Sequence, residues 1–306
     1  MKFLTIFTAP KSFTDPHIAI IQRNAILSWM HLSDEVEVLI IGGEAGIAEA
    51  AKEIGVKHLP EVRLNEWGTP LVSSIFELAR QNSQAALLAY INADILVLPD
   101  FLEAAHHVEA QCERFLILGQ RWDLTISQEI VFKPGWDVLL REKTLRRGKL
   151  HPPAGSDYFI FPRQLLTEMP DFAIGRAGWD NWTIYHARRL GWEVVSATPS
   201  VMVVHQNHNY NHLPGGQPHY DLEESRLNAI LGGGPATMYT ILEANNILVE
   251  GRLHHARPSL IRVLRQIELR LVNNQQRGVR WFMLRRVRRL RRKLVGTLVG
   301  NAPDFV

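Results

Sequence analysis

Cysteine is nearly missing from this chain: among 306 residues there is one, Cys112. That excludes an intramolecular disulfide and a cysteine-based zinc site, and it fits a reducing compartment. Long apolar runs are missing as well. No stretch approaches the roughly 20 apolar residues that span a bilayer. The N-terminal apolar run carries one basic residue, Lys2, and breaks at Pro10, which reads against a signal peptide. No Gly-x-Gly-x-x-Gly turn follows the first strand, where Thr8-Ala9-Pro10-Lys11 stands instead. No Ser/His/Asp or Cys/His nucleophile pattern stands out. Acidic residues are scarce in one region only. Residues 252–306 hold 14 Lys and Arg against Glu268 and Asp304, leaving 20 basic and 29 acidic residues in 1–251. An acidic body thus carries a basic tail. The expected location is cytoplasmic, or peripheral on the inner face of the plasma membrane.

What is present is a core and a rhythm. Apolar residues make up 46% of the chain, enough for a globular body. Over the first 120 residues strand-like and helix-like segments alternate. Strands are expected at 3–8, 36–41, 57–59, 87–91 and 115–119. Helices are expected around Ile18–Met30, Ala45–Ile54 and Phe101–Cys112, and from a Thr69 N-cap and Pro70 through about Gln81. Crossovers of this length imply a mostly parallel α/β sheet covered on both faces, with ligands beyond the carboxyl ends of the strands. After residue 120 the pattern changes: residues 155–162 read as a loop feeding a short aromatic strand, followed by a helix opening at Gly178-Trp179-Asp180-Asn181-Trp182 and strands at 193–197 and 201–205.

The most telling segment runs from Leu87 to Leu98, where an apolar strand opens onto Asn92 and Asp94. Asp94 at such a strand end suits a hard divalent cation shared with phosphates. The alternative is a turn in which both side chains bond nearby backbone. Asp180 reads as a helix N-cap or as a general base for an acceptor hydroxyl, with Trp179 and Trp182 as flat surfaces for a sugar ring. His205 ends a Val-Met-Val-Val strand and opens a cluster with His208, His212 and His219, any of which can give an imidazole to a metal. Asp157 is a turn residue or an acceptor ligand. Arg23 is a solvated helix residue or a phosphate contact, and Arg121-Trp122-Asp123 is placed to line a pocket.

In the tail, Trp281, Leu284, Val287, Leu290, Leu294 and Leu298 trace one helical stripe among arginines. Three partners suit it: an anionic membrane surface reached through 258–299, the acidic body itself, or nucleic acid. No recognisable nucleic-acid module accompanies the arginines, so no nucleic acid is expected.

Taken in order, Thr8-Ala9-Pro10, Asn92-Ala93-Asp94, the Gly178–Trp182 helix start and His205 resemble a glycosyltransferase of the GT-A fold. The likeness is in particular to bacterial family-two-like glycosyltransferases, and it covers about residues 1–235. It implies a Rossmann-like, mostly parallel central sheet with helices on both faces. Within it, 1–120 would be the nucleotide-sugar half, 121–235 the acceptor half, and 236–306 a basic helical tail. It further implies a UDP- or GDP-sugar donor, Mn2+ or Mg2+, and a glycan or lipid-linked acceptor in envelope synthesis. Asp94 would bind the metal, His205 would complete its shell, and Asn92 takes the place of the motif's first aspartate. Thr8 and Pro10 match the loop at the base, Arg23 and Thr69 would contact the donor, and Asp180 matches the catalytic base of inverting members. Asp157, Trp179 and Trp182 would meet the acceptor. A sugar-nucleotide nucleotidyltransferase and a non-catalytic carbohydrate- or membrane-binding protein stand as rivals.

Overall fold

A computed structural model describes residues 2–154, 156–208, 222–272 and 277–299. His212 and His219 lie outside the described residues. In chain order the first half gives β1 (Leu4–Thr8), α1 (Pro16–Met30), β2 (Val36–Ile41), α2 (Ile47–Ile54), β3 (Lys57–Leu59), α3 (Val72–Asn82), β4 (Leu87–Ile91), β5 (Ile95–Val97), α4 (Asp100–Glu109) and β6 (Phe115–Leu118). The second half gives β7 (Arg121–Leu124), α5 (Trp136–Arg147), β8 (Lys149–Leu150), β9 (Tyr158–Pro162), α6 (Trp179–Arg189), β10 (Glu193–Ser196), β11 (Val203–Gln206), α7 (Glu223–Leu231), β12 (Asn246–Val249), β13 (Arg252–His255), α8 (Leu260–Leu271) and α9 (Gly278–Val299).

Nine strands form the main sheet in the order β13-β12-β10-β6-β9-β4-β1-β2-β3. It is parallel except at β9, which runs against β4 and β6, and at the edge strand β13. Strands β1, β4 and β9 are buried at every position. Unbroken β-branched and aromatic runs are what a sheet covered on both faces requires. One face packs Trp29, Phe101 and Val108 from α1 and α4. The other packs Phe76, Trp179 and Ile184 from α3 and α6.

A second sheet, β5-β11-β7-β8, lies beyond the carboxyl end of β4. The chain passes from one sheet to the other through Asn92-Ala93-Asp94, so that turn is the joint between them. Helix α1 clamps the joint. Trp29 Nε1 donates to the Ile95 carbonyl at 2.9 Å, and Val97 N–H donates to Ser28 Oγ at 3.2 Å, both buried.

Three expectations change on contact with the structure. Helix α3 starts at Val72 with Leu71 at the N-cap, so Thr69 and Pro70 belong to the preceding loop. There Thr69 N–H donates to Asn65 Oδ1 at 2.9 Å, and Pro70 bridges Leu64. The segment read as a helical tail from 236 includes β12 and β13, which extend the main sheet. Strands this short leave too little periodicity to read beside a long arginine-rich segment. Third, part of the apolar side of α9 faces inward: Leu284 and Val295 are buried, whereas Leu290 is exposed.

Glu268 on α8 explains that orientation. Its side chain is 3% exposed and accepts from Arg265 at 3.0 Å, Arg288 at 2.9 Å and Arg291 at 2.8 Å. Arg265 in turn reaches Glu243 at 3.1 Å, tying the α8–α9 hairpin to the body. Three guanidiniums gathered on one buried carboxylate depend on its charge. Glu268→Gln is therefore expected to cost about 3 kcal/mol in urea denaturation, with exchange protection lost first in α9.

Candidate active site

Where the two sheets meet, a cleft of about 750 Å³ opens above the carboxyl ends of β1, β2 and β4. Pro10, Lys11, Thr69, Asn92, Asp94, Arg121, His151, Asp157, Trp179, Asp180, His205 and His208 all reach its wall.

Strand register places the first cluster. In the antiparallel pair β5–β11, His205 sits opposite Ile95, the residue after Asp94. In the parallel pair β11–β7, His205 sits opposite Asp123. Asp94, His205 and Asp123 are thus brought into line across three strands. His205 Nδ1 donates to Asp123 Oδ1 at 3.1 Å, which leaves Nε2 turned toward Asp94 Oδ2 at 3.8 Å. His208 Nε2 donates to the same Oδ2 at 3.1 Å. The ligand atoms of Asp94, His205 and His208 all lie within 4.8 Å of one another.

Burial opposes charge on Asp94, but the His208 hydrogen bond and the nearby His205 and Lys11 outweigh it. The carboxyl is held well below its usual range. His205 moves the other way: burial favours its neutral form, yet the bond to Asp123 and the charge of Asp94 raise it. A carboxylate behind a ligating imidazole fixes its tautomer and increases its basicity. Asp94 Oδ1, meanwhile, is buried with no hydrogen-bond partner. A carboxylate with one oxygen facing two imidazoles and the other unpartnered among the described residues fits a divalent cation, and it is a costly arrangement without one.

Gln206 staples this cluster together. Wholly buried between the two histidines, it donates its backbone N–H to the Asp94 carbonyl at 3.1 Å and Nε2 to the Ile21 carbonyl at 2.8 Å. Its Oε1 accepts from Asn24 at 3.0 Å. Neither Gln206 nor Asn24 stands out in sequence, because their role lies in contacts between residues some 180 positions apart.

The first position of the Asn-x-Asp pair does other work. Asn92 Oδ1 accepts from Tyr90 Oη at 2.8 Å, and Nδ2 donates to Asp157 Oδ1 at 3.0 Å. Arg121 completes that link, donating to Asp157 at 2.7 Å and to Asp123 at 3.0 Å. His151 donates to the second Asp123 oxygen at 2.7 Å. Asn92 therefore organises the carboxylate row rather than facing the two histidines.

Asp180 stands apart from that row. Gly178 occupies the N-cap of α6 with φ of 108°, a conformation that disfavours any side chain. The N-cap reading of Asp180 is replaced by a place in the first helical turn. Burial pushes its carboxyl up to about 6, although it accepts backbone N–H bonds from Asn181 and Ser156; Asp157 adds to the rise.

Several expected residues fall elsewhere. Thr8 is fully buried and does not line the cleft. Arg23 pairs with Glu53 at 2.7 Å on the surface of the helices. Trp182 stacks on His186 at 4.5 Å and contacts Phe172, away from the opening. Trp179 reaches the cleft but is 5% exposed, packed edge-on against Tyr90 at 4.9 Å. Both tryptophans serve mainly as packing. Glu224 on α7 links the rim: it accepts from Asn65 at 2.8 Å and from Arg176 at 2.6 Å.

Among known proteins, no family model and no curated sequence matches this chain. Solved structures do resemble it. A mannosyltransferase from Pyrobaculum calidifontis, in complex with GDP-Man and Mn2+, aligns at 14% identity with a TM-score of 0.43, over 68% of this chain and 58% of its own. Glucosyl-3-phosphoglycerate synthase from Mycobacterium tuberculosis, in complex with Mn2+, UDP and glucosyl-3-phosphoglycerate, aligns at 17% and 0.47, over 85% and 88%. Residues 1–349 of S. aureus TarS align at 12% and 0.38, over 68% and 59%. The chain spans less than two thirds of the mannosyltransferase and of the TarS fragment. Similarity at this level does not bear on chemistry; the side chains of the cleft do.

The raised Asp180 carboxyl has a thermodynamic signature. Its folded pKa of about 6 exceeds the ordinary 3.8 of an unfolded aspartate. The folded state then holds the proton more tightly, and stability falls as pH rises from about 4 through 6. Asp180→Asn removes this dependence. Relative to wild type, the variant is expected to gain about 2 kcal/mol between pH 4 and pH 7, measured by urea denaturation. A constant difference would contradict the raised value.

Proposed function

We propose that this chain is a metal-dependent glycosyltransferase of the GT-A type, moving a sugar from a nucleoside diphosphate donor to an acceptor hydroxyl. One observation carries the reading: the Asp94–His205–His208 cluster and the proton-hungry Asp180 open into one cleft at the carboxyl ends of parallel strands. Open α/β sheets bind their ligands there. Two imidazoles beside one carboxylate favour Mn2+ over Mg2+, which prefers oxygen ligands.

Asp94, His205 and His208 would hold the ion. Once bound, it supplies positive charge to the departing diphosphate. The rest falls to the chain. Lys11 lies within the electrostatic reach of Asp94; burial favours its neutral form, which Asp94 resists. Its ammonium adds to the charge opposite the diphosphate. The cleft walls formed by Pro10 and Thr69 seat the nucleotide. With a carboxyl near 6, Asp180 is ionised at neutral pH yet basic enough to take the acceptor proton as the new bond forms.

Inversion follows from how the other carboxylates are spent. Asp157 is bound by Arg121 and Asn92, and Asp123 by Arg121, His151 and His205. Charge-assisted bonds of this kind lower nucleophilicity; with Asp94 given to the metal, Glu44 and Asp180 are the other carboxylates on the cleft wall, and the buried Asp180, raised to about 6, would act as the base for a single displacement.

The α8–α9 hairpin would keep the enzyme at an anionic membrane, near a lipid-linked or envelope glycan acceptor. Among the described residues no helix is long and apolar enough to cross a bilayer. Exposed Phe282, Met283 and Leu290, set among arginines of α9, suit a surface contact instead.

Three results test the reading. Asp94→Ala should abolish Mn2+-dependent binding of UDP or GDP in calorimetry; undiminished binding removes the metal assignment. Asp180→Asn should lower transfer by about a thousandfold while nucleotide binding persists. Asn24→Ala, which frees Gln206, should weaken Mn2+ about tenfold or more with an unchanged circular dichroism spectrum. Product analysis separates the rivals. Free nucleoside diphosphate supports sugar transfer, and pyrophosphate would indicate a nucleotidyltransferase. No turnover of any nucleotide-sugar would indicate a binding protein.

A further inference from the structure

A second groove, of about 460 Å³, lies between the end of α6 and α8, away from the cleft described above. Arg188, Arg262 and Arg270 border it, with Leu242, Val263 and Ile267 as its apolar lining. Its one carboxylate, Glu243, is 5% exposed and already accepts from Arg265 at 3.1 Å and from Thr240 N–H at 2.6 Å. Arg262 donates to the Ala244 carbonyl at 2.6 Å, which fixes its guanidinium in the groove wall. No carboxylate among the described residues pairs with Arg188 or Arg270. The groove is therefore a basic recess whose acid is spent.

The helix that forms one wall is unusual in a second respect. Leu260, Val263 and Ile267 recur along one side of α8 and are 61%, 47% and 38% exposed. Three aliphatic side chains in a row are costly to leave in water. A soluble phosphate would have no use for them. Nucleic acid would favour flat rings for stacking over branched aliphatics. An amphiphile satisfies both features at once, its head among the guanidiniums and its chain along the helix.

We propose that this groove seats the phosphate headgroup of an anionic membrane lipid, with Leu260, Val263 and Ile267 lying against the acyl region. The assignment rests on the membrane-facing reading of the α8–α9 hairpin and gives it a defined site. Exposed Phe282, Met283 and Leu290 of α9, with Arg286 over the Phe282 ring at 4.5 Å, provide a second contact on the same hairpin.

Full-length protein incubated with vesicles of phosphatidylcholine, with or without phosphatidylglycerol, provides the test. Wild type should sediment only with vesicles containing phosphatidylglycerol. Each surface arginine contributes about fivefold to such binding, so Arg188→Gln with Arg270→Gln should lower the partition coefficient roughly twenty-five-fold. Arg146→Gln with Arg147→Gln on α5 should leave it unchanged. Arg270→Gln alone, at an exposed position, guards against misfolding and should show about a fivefold loss. Equal partitioning of wild type and the groove variants would overturn the groove while leaving the hairpin's membrane role. Failure of wild type to bind any vesicle would remove both. Saturable calorimetric binding of glycerol 1-phosphate, lost in the groove variants, would assign the recess to a soluble anion and overturn the lipid proposal.

Discussion

The site depends on one piece of strand register. Because β11 lies between β5 and β7, with His205 opposite Ile95 on one side and Asp123 on the other, a single imidazole is held between two carboxylates. Shifting β11 by one residue would turn His205 to the opposite face. Gln206 would then take its place, and β11 would offer Asp94 an amide in place of a metal-ligating imidazole. The register is enforced by buried polar bonds rather than by apolar packing alone. Gln206 reaches Asp94, Ile21 and Asn24, and Trp29 and Ser28 hold β5 from beneath. Unsatisfied groups of this kind are expensive in a core, so each bond penalises every other register.

Charge is arranged around that frame with little surplus. Asp94, Asp157 and Asp180 line one cleft with Asp123 behind His205, and Arg121 and the histidines balance the first two and Asp123. Asp94 is held ionised and Asp180 is pushed toward neutrality, although both are aspartates only a cleft apart. The difference is environmental. Asp94 has imidazole donors and the Lys11 charge; Asp180 has backbone N–H groups, burial and the repulsion of Asp157. Separating two like carboxyls in this way assigns them separate tasks.

Much of the fold was legible because β4 and β6 are unbroken apolar runs, β1 and β2 are nearly so, and α1 and α4 carry helical spacing. The strand end at Asn92–Asp94 was legible for the same reason, since polar groups at the end of a buried strand must face something. Other parts left no local trace. Helix α5 buries Leu140 but exposes Val138, Leu139 and Leu145, so its apolar residues mark no single face, and β12 and β13 are four residues each. His208 follows β11 without any pattern, and it meets Asp94 only through tertiary structure. The α9 stripe divides between two environments, with Leu284 buried and Leu290 exposed. Its buried side covers α8, because Glu268 draws Arg288 and Arg291 across. Trp179 and Trp182 mark the opposite failure: aromatic side chains beside a catalytic candidate are core more often than platform.

The central claim is that Asp94, His205 and His208 together hold a divalent cation at the diphosphate position. Anomalous scattering from a crystal grown with Mn2+ and a nucleoside diphosphate addresses it directly. One manganese peak is expected within bonding distance of the Asp94 carboxylate, His205 Nε2 and His208 Nε2, with phosphate oxygens completing the shell. Manganese at another position, or nucleotide bound in the cleft with no metal beside these three side chains, would contradict it.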